Sequence, residues 1–390
     1  MPSSTDRSGL LFGSKLNPRR NSLNLIRLVL ALAVLVHHSW PLMGLGNEPK
    51  FAGESLGGWA VAGFFSISGY LITGSRFSNR LGDFLLHRVA RIMPAFLVCL
   101  VVMVAVIAPL GHVATKGTLR GYFSTGTTPL DYLFSNMFLK VQHYDIAGGP
   151  YDVPYPGAWN GSLWSLYYEF VCYLIIAAFA LFAIVKKSPW PVTLAFAASI
   201  LVQANIERVS VFMGQNFDFV LLMRLLPFFL GGAVVFVWRH RVGLHWIPGV
   251  LSILASLVIV SAFPGWGGPA SGAFVAYAFL WISSWLPSPE FIHRNDISYG
   301  VYIYAFPIQQ LLAVYGLHRL GLVPYTVAAT VITIGLALAS WFIVEQPVMN
   351  RVRKPKPKQP APSAESASAP NLQPVAPAPL EAAASASGNR

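Results

Sequence analysis

The stretch NLIRLVLALAVLVHHSW, residues 24–40, has the apolar character of a membrane-spanning helix, yet it carries Arg27 near one end and His37 and His38 near the other. Polar side chains inside a span are costly and by default face the protein interior or a water-filled cavity. Arg27 and His38 are eleven residues apart, about three helical turns, so they project from nearly the same face ~16 Å apart. His37 points ~100° away from that face and cannot share its role. Imidazole takes and returns protons near neutral pH, which suits a general base. The plainer reading of one span histidine is a hydrogen-bonded packing residue, and the aligned arginine tilts the balance towards chemistry.

Two further groups belong with it. Glu169, in GSLWSLYYEF, falls ~10 Å below the start of its own apolar segment, at a depth comparable with that of His38. A buried carboxylate is unfavourable alone, and a histidine partner would offset that cost while fixing the tautomer. The shared depth permits a His38–Glu169 pair without requiring it. Arg88 and Arg91, in RFSNRLGDFLLHRVARIMP, are neighbours on a helix, and paired guanidinium forks suit bidentate phosphate binding. A basic interfacial helix is the plainer reading there. Ser66, Ser68 and Arg224 also fall within apolar segments, where interhelical packing and hydrogen bonding is the plainer reading of a polar side chain.

Such side chains need a framework to hold them. The chain has 390 residues, 55% hydrophobic and 11% charged, far below the ~25% charged of a soluble domain. Ten apolar segments recur: about 24–42, 57–75, 92–110, 162–185, 189–204, 217–238, 246–263, 271–286, 297–316 and 324–344. The fold class expected is an all-α polytopic membrane protein with about ten transmembrane helices and both termini cytoplasmic. The net charge of +12 is topological, not a nucleic-acid footprint. With the N-terminus inside, 20 of the 27 Lys and Arg fall on the inner side, six outside, and Arg224 alone within a span. Residues 1–22 read as a cytoplasmic segment leading into a retained signal-anchor. Residues 23–350 read as one transmembrane domain, and 351–390, rich in Pro, Ala and Ser, as a disordered cytoplasmic tail.

Cys99 and Cys172 both sit in apolar segments and read as small buried hydrophobes. No Cys/His spacing resembles a metal site and no glycine-rich phosphate loop occurs, so neither a metal nor a bound cofactor is expected. Asn160-Gly161-Ser162 matches the three-residue glycosylation sequon. The connection 111–160 is rich in Tyr, Gly and Pro, which suits sugar faces and interfacial anchoring alike.

The Arg27-x10-His38 spacing, FFSISGYLIT (64–73), RVARIMP (88–94), WSLYYE (164–169), SYGVYIYAFP (298–307) and VEQP (344–347) occur in the order found in the integral-membrane acyltransferase-3 family. The chain resembles that family, which includes bacterial O-antigen, exopolysaccharide and Nod-factor O-acetyltransferases, over about residues 22–350. The resemblance implies a membrane-embedded O-acyltransferase of the bacterial cytoplasmic membrane, moving an acetyl or other acyl group from acyl-CoA to a glycan hydroxyl. The glycan would be O-antigen, exopolysaccharide or a lipid-linked oligosaccharide. It makes His38 the essential histidine and links Arg88 and Arg91 to the acyl-CoA donor, which Arg27 would also face. His38 would act as general base with Glu169 orienting it, or carry the acyl group itself as an acyl-histidine. Trp164, Ser165 and Glu169 match the Trp-Ser-Leu…Glu motif, and Ser66, Ser68, Trp164, Ser165 and Arg224 become possible substrate or oxyanion contacts. Two positions depart from the family pattern: Asn24 stands where many members have Asp, and Ala305 where many have His.

Two other classes compete. A transporter or flippase would also use intramembrane His, Glu and Arg as a proton relay, but the two similar halves and paired interrupted helices common in transporters are not evident. A membrane scaffold or sensor leaves the cluster without a purpose.

Overall fold

A computed structural model describes residues 10–46 and 48–352. The proposed tail from 353 and the first nine residues of the N-terminal segment lie outside the described residues. The helices in chain order are α1 (Leu23–Leu42), α2 (Leu56–Ser78), α3 (Leu81–Lys116), α4 (Pro129–Asn136), α5 (Trp164–Phe179) and α6 (Trp190–Ala204). They continue with α7 (Ile206–Phe212), α8 (Phe217–Trp238), α9 (Trp246–Ala262), α10 (Gly272–Trp285), α11 (Ser298–Val314) and α12 (Leu322–Val352). A two-residue antiparallel pair, β1 (Lys50–Phe51) with β2 (Glu54–Ser55), closes the turn between α1 and α2.

A helix falls in each of the ten apolar segments, but their lengths differ from a uniform bundle of ten spans. Among the described residues five helices are long and apolar enough to cross a membrane: α1, α2, α3, α8 and α12. A sixth span results if α6 and α7, bent by 88° at their junction, count as one. The chain is a multi-pass membrane protein. α5, α9 and α10 are apolar but shorter. α3 runs on to Lys116 through a π-turn at Met103–Ile107, so the connection expected from 111 begins later. That connection is packed structure: Tyr122, Tyr132 and Trp159 are among the largest fully buried side chains.

α2 and α8 cross with their backbones in contact. A Cβ on Gly69 would lie 1.8 Å from the Phe229 carbonyl oxygen, and one on Gly232 would lie 1.9 Å from that of Ser66. Small residues allow this approach, which drives helix association in lipid. α11 is the axis of the bundle: 15 of its 17 residues are buried. Gln309 on α11 donates to the Leu35 carbonyl (3.0 Å) and to Ser39 Oγ (2.9 Å), fastening it to α1. Gln310 donates to the carbonyls of Tyr155 and Ala158, both at 2.7 Å, fastening it to the connection that precedes α5. Asn24 donates to the carbonyls of Ile292 (3.3 Å) and His293 (2.9 Å), so the amide at this position ties the start of α1 to the short helix Glu290–Arg294 before α11.

Candidate active site

α1 carries Arg27 and His38 to opposite ends of a chain of cavities. At the end of the helices nearest the β1–β2 turn, the outer one of these cavities, about 150 Å³, is lined by His38 with His37, Glu54, Ser55, Trp164, Arg224 and Tyr302. The His38 ring stands edge-on to Phe306 with centroids 5.0 Å apart, and its buried Nδ1 has no hydrogen-bond partner among the described residues. Helical geometry alone would point His37 away, yet it lines the same cavity, with its ring centroid 5.4 Å from that of His38, and pairs through Nδ1 with Glu48 Oε2 at 3.3 Å. Gly57 makes room for it, since a Cβ there would lie 2.3 Å from the His37 ring.

Arg27, Ser165 and Glu169 line a second, inner cavity with Phe64, Ser298, Tyr299 and Tyr302. It holds only about 30 Å³, roughly one water's share of liquid volume. Val61 and Tyr302 line both cavities and so partition them. The Tyr302 hydroxyl is held there by the Ser162 carbonyl, to which it donates (2.9 Å), and by Ser165 Oγ (2.5 Å).

The expected His38–Glu169 pair is not formed. Glu169 Oε1 accepts from Ser68 Oγ at 2.9 Å and from Tyr173 OH at 2.6 Å, which satisfy the carboxylate from its own helix and from α2. Equal depth left the direction around α5 undetermined, and Glu169 faces the inner cavity. Ser68 is thereby a partner of Glu169, and Ser165 a partner of Tyr302. Ser66 sits at the α2–α8 crossing, its Oγ buried without a partner among the described residues, and lines neither cavity. Arg224 faces the outer cavity, where it is ion-paired with Glu54.

The three arginines divide. Arg27 and Arg91 both pair with Asp296 Oδ2, Arg91 at 2.7 Å, and Arg91 also pairs with Glu345 Oε2 at 2.5 Å. The Arg91 guanidinium lies 5.6 Å from the Tyr299 ring centroid and 5.5 Å from that of Trp341. Ser298 caps the other Asp296 oxygen at 2.5 Å. Burial by itself would raise the Asp296 pKa, but Arg27 and Arg91 outweigh it and hold the carboxyl below the usual range. Arg27 and Arg91 are therefore internally neutralised. Arg88 forms no ion pair among the described residues, and its buried Nε has no partner. It lies within electrostatic reach of Tyr173, Arg91, Arg27 and Glu169.

Residue-by-residue reading of the sequence assigned no role to Asp296, Glu345, Tyr302 or Glu54. The signal for the acids was available: two arginines beside apolar spans require counter-charges, and Asp296 and Glu345 flank the two last spans. Cys99 and Cys172 are free and buried. Asn160 is 1% exposed and donates to the Ile303 carbonyl at 2.9 Å, so the sequon asparagine is a packing residue. Among the described residues no group of three or more His, Cys, Asp or Glu is arranged to hold a metal.

Helices that cross a membrane around buried basic, carboxylate and imidazole side chains define a polytopic membrane protein with a polar interior. Residues 20–342 match the family model described as an acyltransferase domain, and the chain belongs to that acyltransferase family. It is an enzyme that transfers acyl groups. The chain is 30% identical over 344 residues to an "O-acetyl transferase" of Shigella phage Sf6, covering 85% of this chain and 97% of that protein. It is 27% identical over 372 residues to "Nodulation protein 10" of Rhizobium leguminosarum bv. viciae, covering 85% and 93% respectively. No solved structure matches it.

Proposed function

We propose that the protein is an O-acetyltransferase of the bacterial cytoplasmic membrane, carrying an acetyl group from cytoplasmic acetyl-CoA to a glycan hydroxyl on the far side. The observation that supports this best is the alignment of two cavities along α1, Arg27 and Glu169 at the inner one and His38 at the outer, with Tyr302 between. In this reading all ten apolar segments are embedded, with both ends of the chain inside, in keeping with the 20-to-6 distribution of Lys and Arg. Membrane lipid surrounds the bundle.

The thioester reaches the outer cavity once the donor widens the inner one and displaces the Tyr302 partition. His38 takes the proton from the acceptor hydroxyl as its oxygen attacks the thioester carbonyl. The oxyanion forms among Trp164 and Arg224, which line the cavity with His38. Collapse expels the CoA thiolate, and the imidazolium returns the proton to it. Arg88, with no carboxylate of its own, is the donor-phosphate contact; Arg27 and Arg91 hold the walls through Asp296 and Glu345. Glu169, accepting from Ser68 and Tyr173, orders both side chains at the inner cavity.

Incubating the purified protein with acetyl-labelled acetyl-CoA and bacterial surface glycans tests this. Label on the glycan is the expected result. Glycan moved across vesicles without label would overturn the reading in favour of transport.

A further inference from the structure

The outer cavity has a neighbour. A cavity of about 210 Å³ opens beside it, lined by Trp59 and Ala62 of α2, Gln203 of α6, Phe228 of α8, and Phe263 with the glycine-rich turn that follows α9. Glu54, Gly58, Arg224 and Leu225 line both. The Glu54–Arg224 ion pair is thus the shared wall between this cavity and the one that holds His38.

We infer that this second cavity is the acceptor subsite and that its occupant is a neutral sugar ring; the inference rests on the acyl-transfer reading above. Trp59 offers a fixed aromatic wall: its Nε1 donates to the Phe51 carbonyl at 3.0 Å, and its ring meets Phe228 edge-on at 6.4 Å. Aromatic faces pack against the C–H faces of sugars, and rigid indoles do so at little entropic cost. Gln203 Oε1 is buried without a hydrogen-bond partner among the described residues, an acceptor that a sugar hydroxyl would satisfy. The charges favour a neutral ring over an anion. Arg224 is already matched by Glu54, so the wall presents a carboxylate and a guanidinium together, which suits vicinal hydroxyls that both donate and accept. A ring held here has one edge at the Glu54–Arg224 wall, and a hydroxyl on that edge enters the cavity of His38. Trp59, Gln203 and the ion pair would then select which hydroxyl is acylated.

The test uses the intact protein in lipid nanodiscs with labelled acetyl-CoA and methyl glycosides of glucose, galactose, rhamnose and N-acetylglucosamine, alongside bacterial surface polysaccharide. Trp59→Ala and Gln203→Leu should each raise the acceptor KM about tenfold or more, with acetyl-CoA KM moved less than about twofold. Trp59→Phe, which keeps an aromatic face, should restore most of the loss. Should Trp59→Ala fail to fold, Gln203→Leu carries the test. Transfer by the parent with acceptor KM unchanged in the folded variants would overturn the subsite and leave the activity standing. A parent that labels no glycan at all would overturn the acyl-transfer reading, and the subsite with it.

Discussion

Replacing Arg91 by alanine should unfold the protein several degrees sooner, for a reason that has nothing to do with substrate. Arg91 is the cation within ion-pair distance of Glu345 among the described residues, and Glu345 is 1% exposed. Asp296 keeps Arg27 when Arg91 is lost, so it is only partly orphaned. Glu345 keeps just a 3.2 Å hydrogen bond from Ser340. Removing one partner of a buried pair typically costs about 3–5 kcal/mol, because the remaining charge is left uncompensated. At about 2 °C per kcal/mol, the lower end for larger domains, the melting temperature should drop by at least about 6 °C. The double variant Arg91→Leu/Glu345→Leu removes both charges and should recover most of that loss, a coupling of about 2 kcal/mol or more. Tryptophan fluorescence during heating in detergent reads this directly, and acetyl-CoA binding should recover in the double variant as well. An Arg91→Ala protein that melts with the parent would refute the reasoning. So would a double variant that melts below both singles. A double variant restored in stability but not in donor affinity would move Arg91 onto the donor.

Three other outcomes are expected. His38→Ala should reduce label transfer about 10²–10⁴-fold at equal protein level, with His37→Ala near parental and Glu169→Gln between them; transfer by His38→Ala close to parental would remove the general base from the scheme. Arg88→Ala should weaken acetyl-CoA binding about ten- to a hundredfold, the worth of a charge-assisted hydrogen bond, measured by calorimetry without acceptor, and unchanged affinity would return Arg88 to a topological role. A cysteine at exposed position 120 should react with an impermeant maleimide in intact cells, against a low background because Cys99 and Cys172 are buried; labelling only after the membrane is opened would reverse the orientation.

The sequence made the helical membrane class legible because hydropathy and charge placement are properties of segments, read without knowing any contact. It also singled out Arg27 and His38, since helical periodicity alone puts them on one face. It could not aim Glu169: depth along a helix constrains one coordinate, while the rotation that turns Glu169 towards Ser68 and Tyr173 depends on how α5 packs. The same limit hid the fate of Arg91. Its neighbours Asp296 and Glu345 lie 205 and 254 residues away along the chain, and only the tertiary arrangement brings the two acids to one guanidinium. Span length was overestimated for α5, where apolar composition runs on past Phe179, the end of the helix; α9 and α10 match their apolar segments to within two residues and are themselves short.

The burial of α11 has a consequence for how the protein is made. A segment with Gln309, Gln310, Pro307 and three tyrosines is a poor candidate for entering lipid on its own terms. It becomes soluble in the bilayer when Leu35, Ser39, Tyr155 and Ala158 accept its amide hydrogens, and all four are synthesised at least 152 residues earlier. The ribosome therefore delivers the receptors before the segment they receive. Insertion of α11 is then a docking event within an existing protein surface, not a partition between water and oil. Nascent chains that stop short of residue 298 have neither Tyr302 nor the second side of the cavities, so a stalled or truncated product carries His38 and Arg27 without the helix that encloses them.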